Sequence, residues 1–317
     1  MKDTKHKILT LAALTTIAAG VIHLTNRVIV ASSQLKEMLD FSNHNYYNWR
    51  FGKIYYTKKG KGSPLLLIHD TMPGASGYEW SRVEDQLAQE HTVYTLDLLG
   101  CGRSEKAGIT YTNFLFVQII CDFIKNVIKE KTDIIASGFS CSFVTTAAAY
   151  DKESINKIMF INPVSMISLA QTTTKKDKLF KFFIELPIFG TFIYHIIVSR
   201  ETINDFFLDK LYYNPFHVDK DVLDAYYEAA HKGGYYAKCL YSSQSAKYMN
   251  INIRHAVESI DNSIYIVEGE DEPNGAAIVE AYQKVNPAIE SATISCSKHF
   301  PHIENAEAFL EQVGAFF

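Results

Sequence analysis

The sequence predicts an α/β protein with a mostly parallel central sheet flanked by helices. Residues 64–69 (PLLLIH) and 157–162 (KIMFIN) are continuous apolar runs, which are typical of strands buried on both faces of a parallel sheet. Between them, residues 133–149 pass from a β-branched run through a glycine-containing turn into small residues that favour a helix. Strands that alternate with helices at such intervals indicate βαβ units.

The N-terminus is predicted to be a membrane anchor that contacts the membrane through residues 8–26. Lys2, Lys5 and Lys7 precede this uncharged stretch, and a spanning helix needs about 20 predominantly apolar residues. A cleaved signal peptide and an amphipathic helix packed on the protein are the alternatives. The lysines favour a cytoplasmic N-terminus, but free cysteines argue against an oxidising exterior. The side of the membrane stays open, with the extracytoplasmic side slightly favoured.

We divide the chain into an anchor (residues 1–27), a linking helix (28–45) and a globular domain (46–317). The globular domain begins with two short strands around Phe51-Gly52, whose aromatic residues suit a pleated surface. The alternation of strands and helices described above then follows. The three parts are therefore expected to differ in role, and the chemistry is expected in the last of them.

An α-helical cap is predicted at about residues 164–261, where the alternation of strands and helices stops. The apolar stretch 179–197 could be a second membrane span, but Pro187 and Gly190 interrupt it and favour short helices. Alternation returns with predicted strands at 263–268 and 291–295 and predicted helices at 275–285 and 304–316. We therefore expect the cap to be an insertion that packs over the edge of the sheet.

The composition is that of an ordinary globular protein. The 317 residues allow one large domain or two small ones, and 47% hydrophobic with 21% charged residues provide ample material for a core. A net charge of −4 offers no basis for nucleic-acid binding. The five cysteines are scattered, and metal-binding, phosphate-loop and complete dinucleotide motifs are missing from the sequence. We therefore expect no metal and no organic cofactor.

Ser140 is the predicted nucleophile. It stands within the run 138–142 (GFSCS), between the predicted strand and helix, where a serine points its hydroxyl out of the sheet. The run resembles the G-x-S-x-G motif of the α/β-hydrolase family, with Ser142 in place of the second glycine. The alternative interpretation is that this run is a serine-rich helix start, in which serine only caps the helix.

The same resemblance assigns a base and an acid, which a nucleophilic serine requires. His299 follows the last predicted strand in a loop similar to the family's H-x-P-x-x-E pattern, whereas His302 is expected to be a loop residue. Glu272 stands at the family's acid position after the strand at 263–268, and Asp271, one residue out of register, is the runner-up. The alternative is that the three acidic residues of this loop are simply solvated and have no catalytic role.

Two backbone amides are expected to bind the oxyanion of the reaction. One belongs to Cys141, which follows the predicted nucleophile, and the other to Thr71, in a loop that resembles the family's H-G-x turn. Asp70 replaces the glycine of that turn. A carboxylate beside an oxyanion site is unfavourable if it faces inwards.

The resemblance covers roughly residues 46–317, with nucleophile, acid and base in the order that the family shows. It implies an α/β-hydrolase fold with a helical cap, and a serine hydrolase that cleaves esters or related acyl compounds with an apolar group. A serine at this position sets the chain apart from aspartate-dependent dehalogenases and epoxide hydrolases. Two alternatives stay open: a catalytically weak or inactive ligand-binding or sensor protein, and a lyase or perhydrolase that uses the same triad.

Overall fold

The fold is built on one mixed sheet. Within the residues that the structure, a computed structural model, describes (2–39 and 45–317), eight strands form this sheet in the order β1-β2-β4-β3-β5-β6-β7-β8. β2 runs antiparallel to both β1 and β4, and the other neighbouring strands are parallel. The strands are Asn45–Trp49 (β1), Gly52–Lys59 (β2), Ser63–Ile68 (β3), His91–Leu96 (β4), Thr132–Ser137 (β5), Ile155–Ile161 (β6), Ile264–Gly269 (β7) and Glu290–Ile294 (β8).

Helices flank the sheet and connect its parallel strands, which confirms the predicted fold class. They are Lys2–Ser33 (α1), Glu84–Leu87 (α2), Asn113–Phe123 (α3), Cys141–Tyr150 (α4), Met166–Leu169 (α5), Lys175–Glu185 (α6), Phe189–Ile197 (α7), Arg200–Phe206 (α8), Lys220–His231 (α9), Lys238–Ser245 (α10), Arg254–Ser259 (α11), Gly275–Val285 (α12), Pro301–Glu304 (α13) and Ala306–Phe316 (α14).

Burial on both faces of the sheet explains the continuous apolar runs. Leu66 of β3 joins a core that contains Phe116 of α3. The adjacent Leu65 points the other way and joins a second core that contains Phe309 of α14. Because neither face of β3 reaches water, the strand has no polar side to produce an alternating pattern.

The register of β3 and β5 brings two loop residues together at the carboxyl edge of the sheet. Ile68 of β3 pairs with Ala136 of β5. Two residues beyond these partners stand Asp70 and Gly138. The two residues are therefore side by side where open α/β sheets keep their sites.

The segment between β6 and β7 contains α5 to α11, at the place where the sequence predicts the cap. An aromatic cluster that includes Tyr194, Phe207 and Tyr226 holds these helices together and also contains Phe300, from the loop after β8. α6 and α7 are bent by 103° at a break that contains Pro187. The apolar stretch 179–197 is thus divided between two short helices.

α1 is one continuous helix from Lys2 to Ser33, and it does not break at residue 27, where we separate the anchor from the linking helix. Among the described residues, it is the one unbroken helix that is long and apolar enough to cross a membrane, a test that signal sequences also pass. Of the predicted linking helix, residues 40–44 lie outside the described residues, and Asn45 begins β1 instead.

The C-terminal part of α1 rests on the cap. The side-chain amide of Asn26 donates a hydrogen bond to the Ile188 carbonyl at 3.0 Å. Just beyond the helix, the Met38 N–H donates to a Glu228 carboxylate oxygen at 2.7 Å. These bonds connect the predicted anchor to the helices above the sheet.

Candidate active site

Gly138 lies at the tip of the turn between β5 and α4. It has a φ of +54°, a conformation that strains residues with a Cβ atom, and it begins a 3-10 turn that leads into α4. A Cβ atom on Gly138 would also overlap the carboxylate carbon of Asp70. The sharp strand-to-helix bend that we expected at Ser140 is therefore made two residues earlier, at a residue without a side chain.

Ser140 lies past this tip, at the start of the helix. Its backbone is helical (φ −65°, ψ −20°), and its side chain is completely buried. Its Oγ donates a hydrogen bond to the His69 carbonyl at 2.6 Å. In the described part of the chain, the ring nitrogens of His299 bond to other groups, so the structure does not pair Ser140 with a base. Its role as nucleophile stays a prediction.

The carboxylate of Asp70 fills the space in front of Gly138. Its Oδ1 accepts hydrogen bonds from the backbone N–H groups of Thr71 (2.6 Å) and Phe139 (2.8 Å). Its Oδ2 lies 3.4 Å from Nε2 of His299. Two amides that converge on one oxygen form the kind of cradle that stabilises an oxyanion. In this protein a carboxylate of the chain occupies that cradle.

The two predicted oxyanion donors have different environments. The Thr71 amide belongs to the cradle, but Asp70 already occupies it. The Cys141 amide points back to the Phe139 carbonyl within the turn. The donor that joins Thr71 is the amide of Phe139, which follows the glycine at the tip.

His299 and Glu272, the predicted base and acid, lie next to each other. Nδ1 of His299 lies 3.3 Å from both carboxylate oxygens of Glu272. Asp271, the runner-up, is exposed. His302, expected in a loop, lies instead in α13, where it is completely buried and packs on the Trp80 ring at a centroid distance of 4.8 Å.

Asn162 positions the loop that carries His299, a role that the sequence analysis missed. Its side-chain amide donates to the carbonyls of Lys298 and His299, both at 2.9 Å, and its Oδ1 accepts from the Gly269 N–H at 3.1 Å. Asn162 directly follows β6 and has a φ of +44°, which asparagine tolerates better than most residues. One side chain thus joins the ends of β6 and β7 to the loop of the base.

Two carboxylates control the charge of His299. Burial lowers the pKa of the imidazole, but the hydrogen bonds and negative charges of Asp70 and Glu272 outweigh burial and raise the pKa of His299 from 6.5 to about 10. The ring is therefore an imidazolium at neutral pH and can donate from both nitrogens. It cannot act as a base while both carboxylates are charged.

Little space adjoins this site beneath the cap. A cavity of about 10 Å³, room for about one water molecule, lies between Thr71 and cap residues such as Tyr194 and Tyr241. A larger apolar cavity of about 220 Å³ lies farther out, between Met72 and the phenylalanines of the cap around Phe207. The cap therefore leaves little free space over Thr71. No group of three or more potential metal ligands occurs in residues 2–39 and 45–317.

Comparison with known proteins identifies the family. A model of the alpha/beta hydrolase family matches residues 65–312. The chain belongs to this family. A crystal structure of a serine hydrolase involved in carbazole degradation (CarC) shares the fold, with a TM-score of 0.70 and 18% identity over 86% of this chain and 98% of that one.

Two curated relatives are similar over a shorter region. One is a 2-hydroxy-6-oxo-6-(2'-aminophenyl)hexa-2,4-dienoic acid hydrolase from Metapseudomonas resinovorans, 28% identical over 35% of this chain and 39% of its own length. The other is a soluble epoxide hydrolase from Corynebacterium sp. (strain C12), 29% identical over 34% of this chain and 37% of its own length. The chain spans less than two fifths of either relative.

The pKa of His299 can be measured directly by NMR titration of the histidine ring protons. We expect a pKa of about 10 in the wild-type chain and a lower one in Asp70→Asn, which removes one of the two charges that favour the imidazolium. Because the folded-state pKa lies above the unfolded value, the associated stability is complete below about pH 6.5 and is lost as pH rises through 10.

The free energy of unfolding should therefore fall between pH 7 and 10 more steeply in the wild type than in Asp70→Asn. Asp271→Asn, which alters an exposed carboxylate on the same loop as Glu272, is the matched control and should behave like the wild type. A wild-type His299 that titrates near 6.5 would contradict the geometry.

The position of Gly138 at the tip of the turn can be tested by placing a serine there. Gly138→Ser alone should destabilise the fold by about 1–3 kcal/mol, because the new side chain meets Asp70 at a positive φ. Combined with Asp70→Gly, the same substitution should recover much of this loss and create a serine beside His299. We expect a fluorophosphonate to label that double variant at position 138.

Adding Ser140→Ala to the double variant should leave this labelling intact. Labelling at Ser140 instead, in any of these proteins, would show that the tip of the turn is not at Gly138.

Proposed function

We propose that the protein is a hydrolase in which the Asp70 carboxylate attacks an electrophilic saturated carbon, such as that of an epoxide or an alkyl halide. This reverses our exclusion of aspartate-dependent chemistry, which assumed that Ser140 occupies the tip of the turn, where the structure has Gly138. The observation that carries this proposal is that the two oxygens of Asp70 have different partners. Oδ1 is held by two amides, and Oδ2 is left facing Nε2 of His299. A carboxylate oriented in this way is a positioned nucleophile.

Cleavage of an ester by acyl transfer fits the occupied cradle less well than attack by Asp70. A tetrahedral intermediate from an ester needs the cradle amides for the former carbonyl oxygen. In this protein both amides, from Thr71 and Phe139, already bind Asp70. An ester substrate would have to displace a buried carboxylate that also bonds to His299.

The proposed reaction has two covalent steps. In the first, Oδ2 of Asp70 forms a bond to the substrate carbon, and the bond from that carbon to its leaving group breaks. The oxygen of an epoxide takes the Nε2 proton of the His299 imidazolium, whereas a halide leaves as the anion. In the second, His299 takes a proton from water while the resulting hydroxide attacks Cγ of Asp70. The new ester bond then breaks, which releases the alcohol and regenerates the carboxylate.

Alkylation of Asp70 prepares His299 for the second step. The ester is neutral, so one of the two charges that raise the pKa of His299 disappears. The imidazolium gives its Nε2 proton to the opened epoxide oxygen, or to water when a halide leaves, and becomes the base that the second step requires. Glu272 keeps the ring oriented through Nδ1. The cradle stabilises the oxyanion that forms on Oδ1 as hydroxide adds.

Two further observations agree with the proposal. One of the curated relatives carries the name soluble epoxide hydrolase. The cavity of about 220 Å³ next to Met72 is lined mainly by apolar side chains, which suits a small apolar substrate. We also propose that α1 anchors the chain in a membrane, which supplies such a substrate locally.

The ester hydrolase that the sequence predicts, with Ser140 as nucleophile, is the second candidate. The pairing of His299 with Glu272 would serve it equally well. It requires Ser140 to give up its bond to the His69 carbonyl and Asp70 to leave the cradle.

Full-length protein in detergent micelles can be tested with styrene oxide and with p-nitrophenyl butyrate. For styrene oxide, Asp70→Asn should lower kcat at least about 10³-fold, because an amide is a poor nucleophile. His299→Gln should stop after the first step and accumulate a chain that is heavier by one substrate molecule, attached at Asp70. Ser140→Ala should retain activity within a few-fold.

Asp271→Asn is the matched control for the charge change and should remain active. Butyrate hydrolysis that survives Asp70→Asn and disappears in Ser140→Ala would overturn the proposal in favour of the serine. A chain that turns over neither compound and forms no adduct with styrene oxide would also count against it.

A further inference from the structure

A groove of about 550 Å³ lies between the C-terminal part of α1 and the cap helix α7. One wall is a single face of α1. Its residues follow the spacing of a helix face, at positions 23, 26, 27, 30 and 31. The other wall is formed by residues around Pro187 and Ile188, by α7, and by Gly234 and Tyr235. The groove has the volume of a small-molecule site.

The lining of the groove is mostly apolar, but it includes buried polar atoms without partners. His195 of α7 is 3% exposed, and in the described residues neither of its ring nitrogens has a hydrogen-bond partner. Oδ1 of Asn26, a residue 6% exposed, also has none there. An unsatisfied buried polar atom costs free energy, about 1–3 kcal/mol each. Two such groups facing one cavity indicate a ligand with polar atoms.

The rest of the molecule holds the ring of His195 in place. It stacks on His231 with a centroid distance of 4.9 Å and an interplanar angle of 14°. Burial, followed by the charges of His231 and Lys238, lowers the pKa of His195 to about 4. The ring is therefore neutral, with one nitrogen to donate and one to accept a hydrogen bond.

A positive charge stands at the rim. Arg27 is exposed and has no ion-pair or hydrogen-bond partner within the described residues. It directly follows residues 8–26, the uncharged stretch of α1 that we predict to enter the membrane. A single-chain amphiphile that partly leaves the bilayer would find a cation at head-group depth and an apolar groove directly beyond it.

We infer that the groove between α1 and α7 binds a single-chain amphiphile with an anionic head group. The acyl chain lies against Val30, Ala31 and Ile188, the head group pairs with Arg27, and polar head-group atoms bond to His195 and Asn26. A free fatty acid and a lysophospholipid share this chemistry. The inference does not depend on Asp70 chemistry, because it concerns binding at a separate site.

The test uses full-length protein in detergent micelles and a palmitate analogue with a diazirine on its chain, followed by mass spectrometry of the cross-linked peptides. We expect labelling of peptides that contain residues 26–31 and 187–191. Unlabelled oleate and an anionic lysophosphatidylglycerol serve as competitors, and monoolein is the uncharged comparison. The more potent of the two anionic competitors identifies the source of the ligand.

Ala31→Trp fills the groove and should abolish the labelling, whereas Val28→Trp, on a different face of the same helix, should not. Arg27→Gln, an exposed change that leaves the packing intact, should weaken oleate competition about tenfold and leave monoolein unchanged. Labelling that spreads evenly along α1, or that Ala31→Trp leaves unchanged in a folded protein, would overturn the inference. Equal competition by oleate and monoolein would remove the role of Arg27.

Discussion

The arrangement of the candidate site depends on two backbone N–H groups that hold one oxygen of Asp70. The amides come from Thr71 and Phe139, which follow neighbouring parallel strands, so the cradle exists only because β3 and β5 pair in their observed register. This contact fixes the other oxygen of Asp70 towards His299. It also excludes a side chain at Gly138, and it raises the pKa of the imidazole together with Glu272.

The surrounding fold serves to place these few groups at one edge of the sheet. Asn162 at the end of β6 joins the end of β7 to the loop of His299. Behind the cradle, the completely buried Glu79 accepts from the Asp70 N–H at 3.2 Å and from the Ser137 hydroxyl. The cap then closes over Thr71 and leaves space for about one water molecule. Access to the site is consequently a property of the cap.

Most of the fold could be predicted from the sequence because strong local signals agreed with one another. Strands buried on both faces have no polar alternation, and Pro187 interrupts the longest apolar stretch of the cap. The partnership of His299 with Glu272 was also predictable, since both follow strands whose ends meet.

The identity of the residue at the tip of the turn was not predictable in the same way. The turn motif requires a small residue two positions before and two positions after the residue at the tip. Small residues stand at 136, 138, 140 and 142, so the motif fits the sequence with either Gly138 or Ser140 at the tip. Only the backbone dihedral angles and the end of β5 at Ser137 separate them. Asp70 was one sequence signal for the correct register. It replaces a glycine of the family's turn, so its larger side chain requires a neighbouring residue without a side chain. Gly138 is that residue.

The central claim is that Asp70 attacks the substrate, and a single turnover in water enriched in oxygen-18 tests it most directly. Enzyme in excess over styrene oxide converts each substrate molecule once, and both the diol and the peptide that contains Asp70 are then analysed by mass spectrometry. Attack by Asp70 transfers an oxygen of the carboxylate to the diol, so the diol should be unlabelled and the peptide should gain one heavy oxygen. A labelled diol with an unlabelled peptide would mean that water attacks the substrate directly, and would contradict the account.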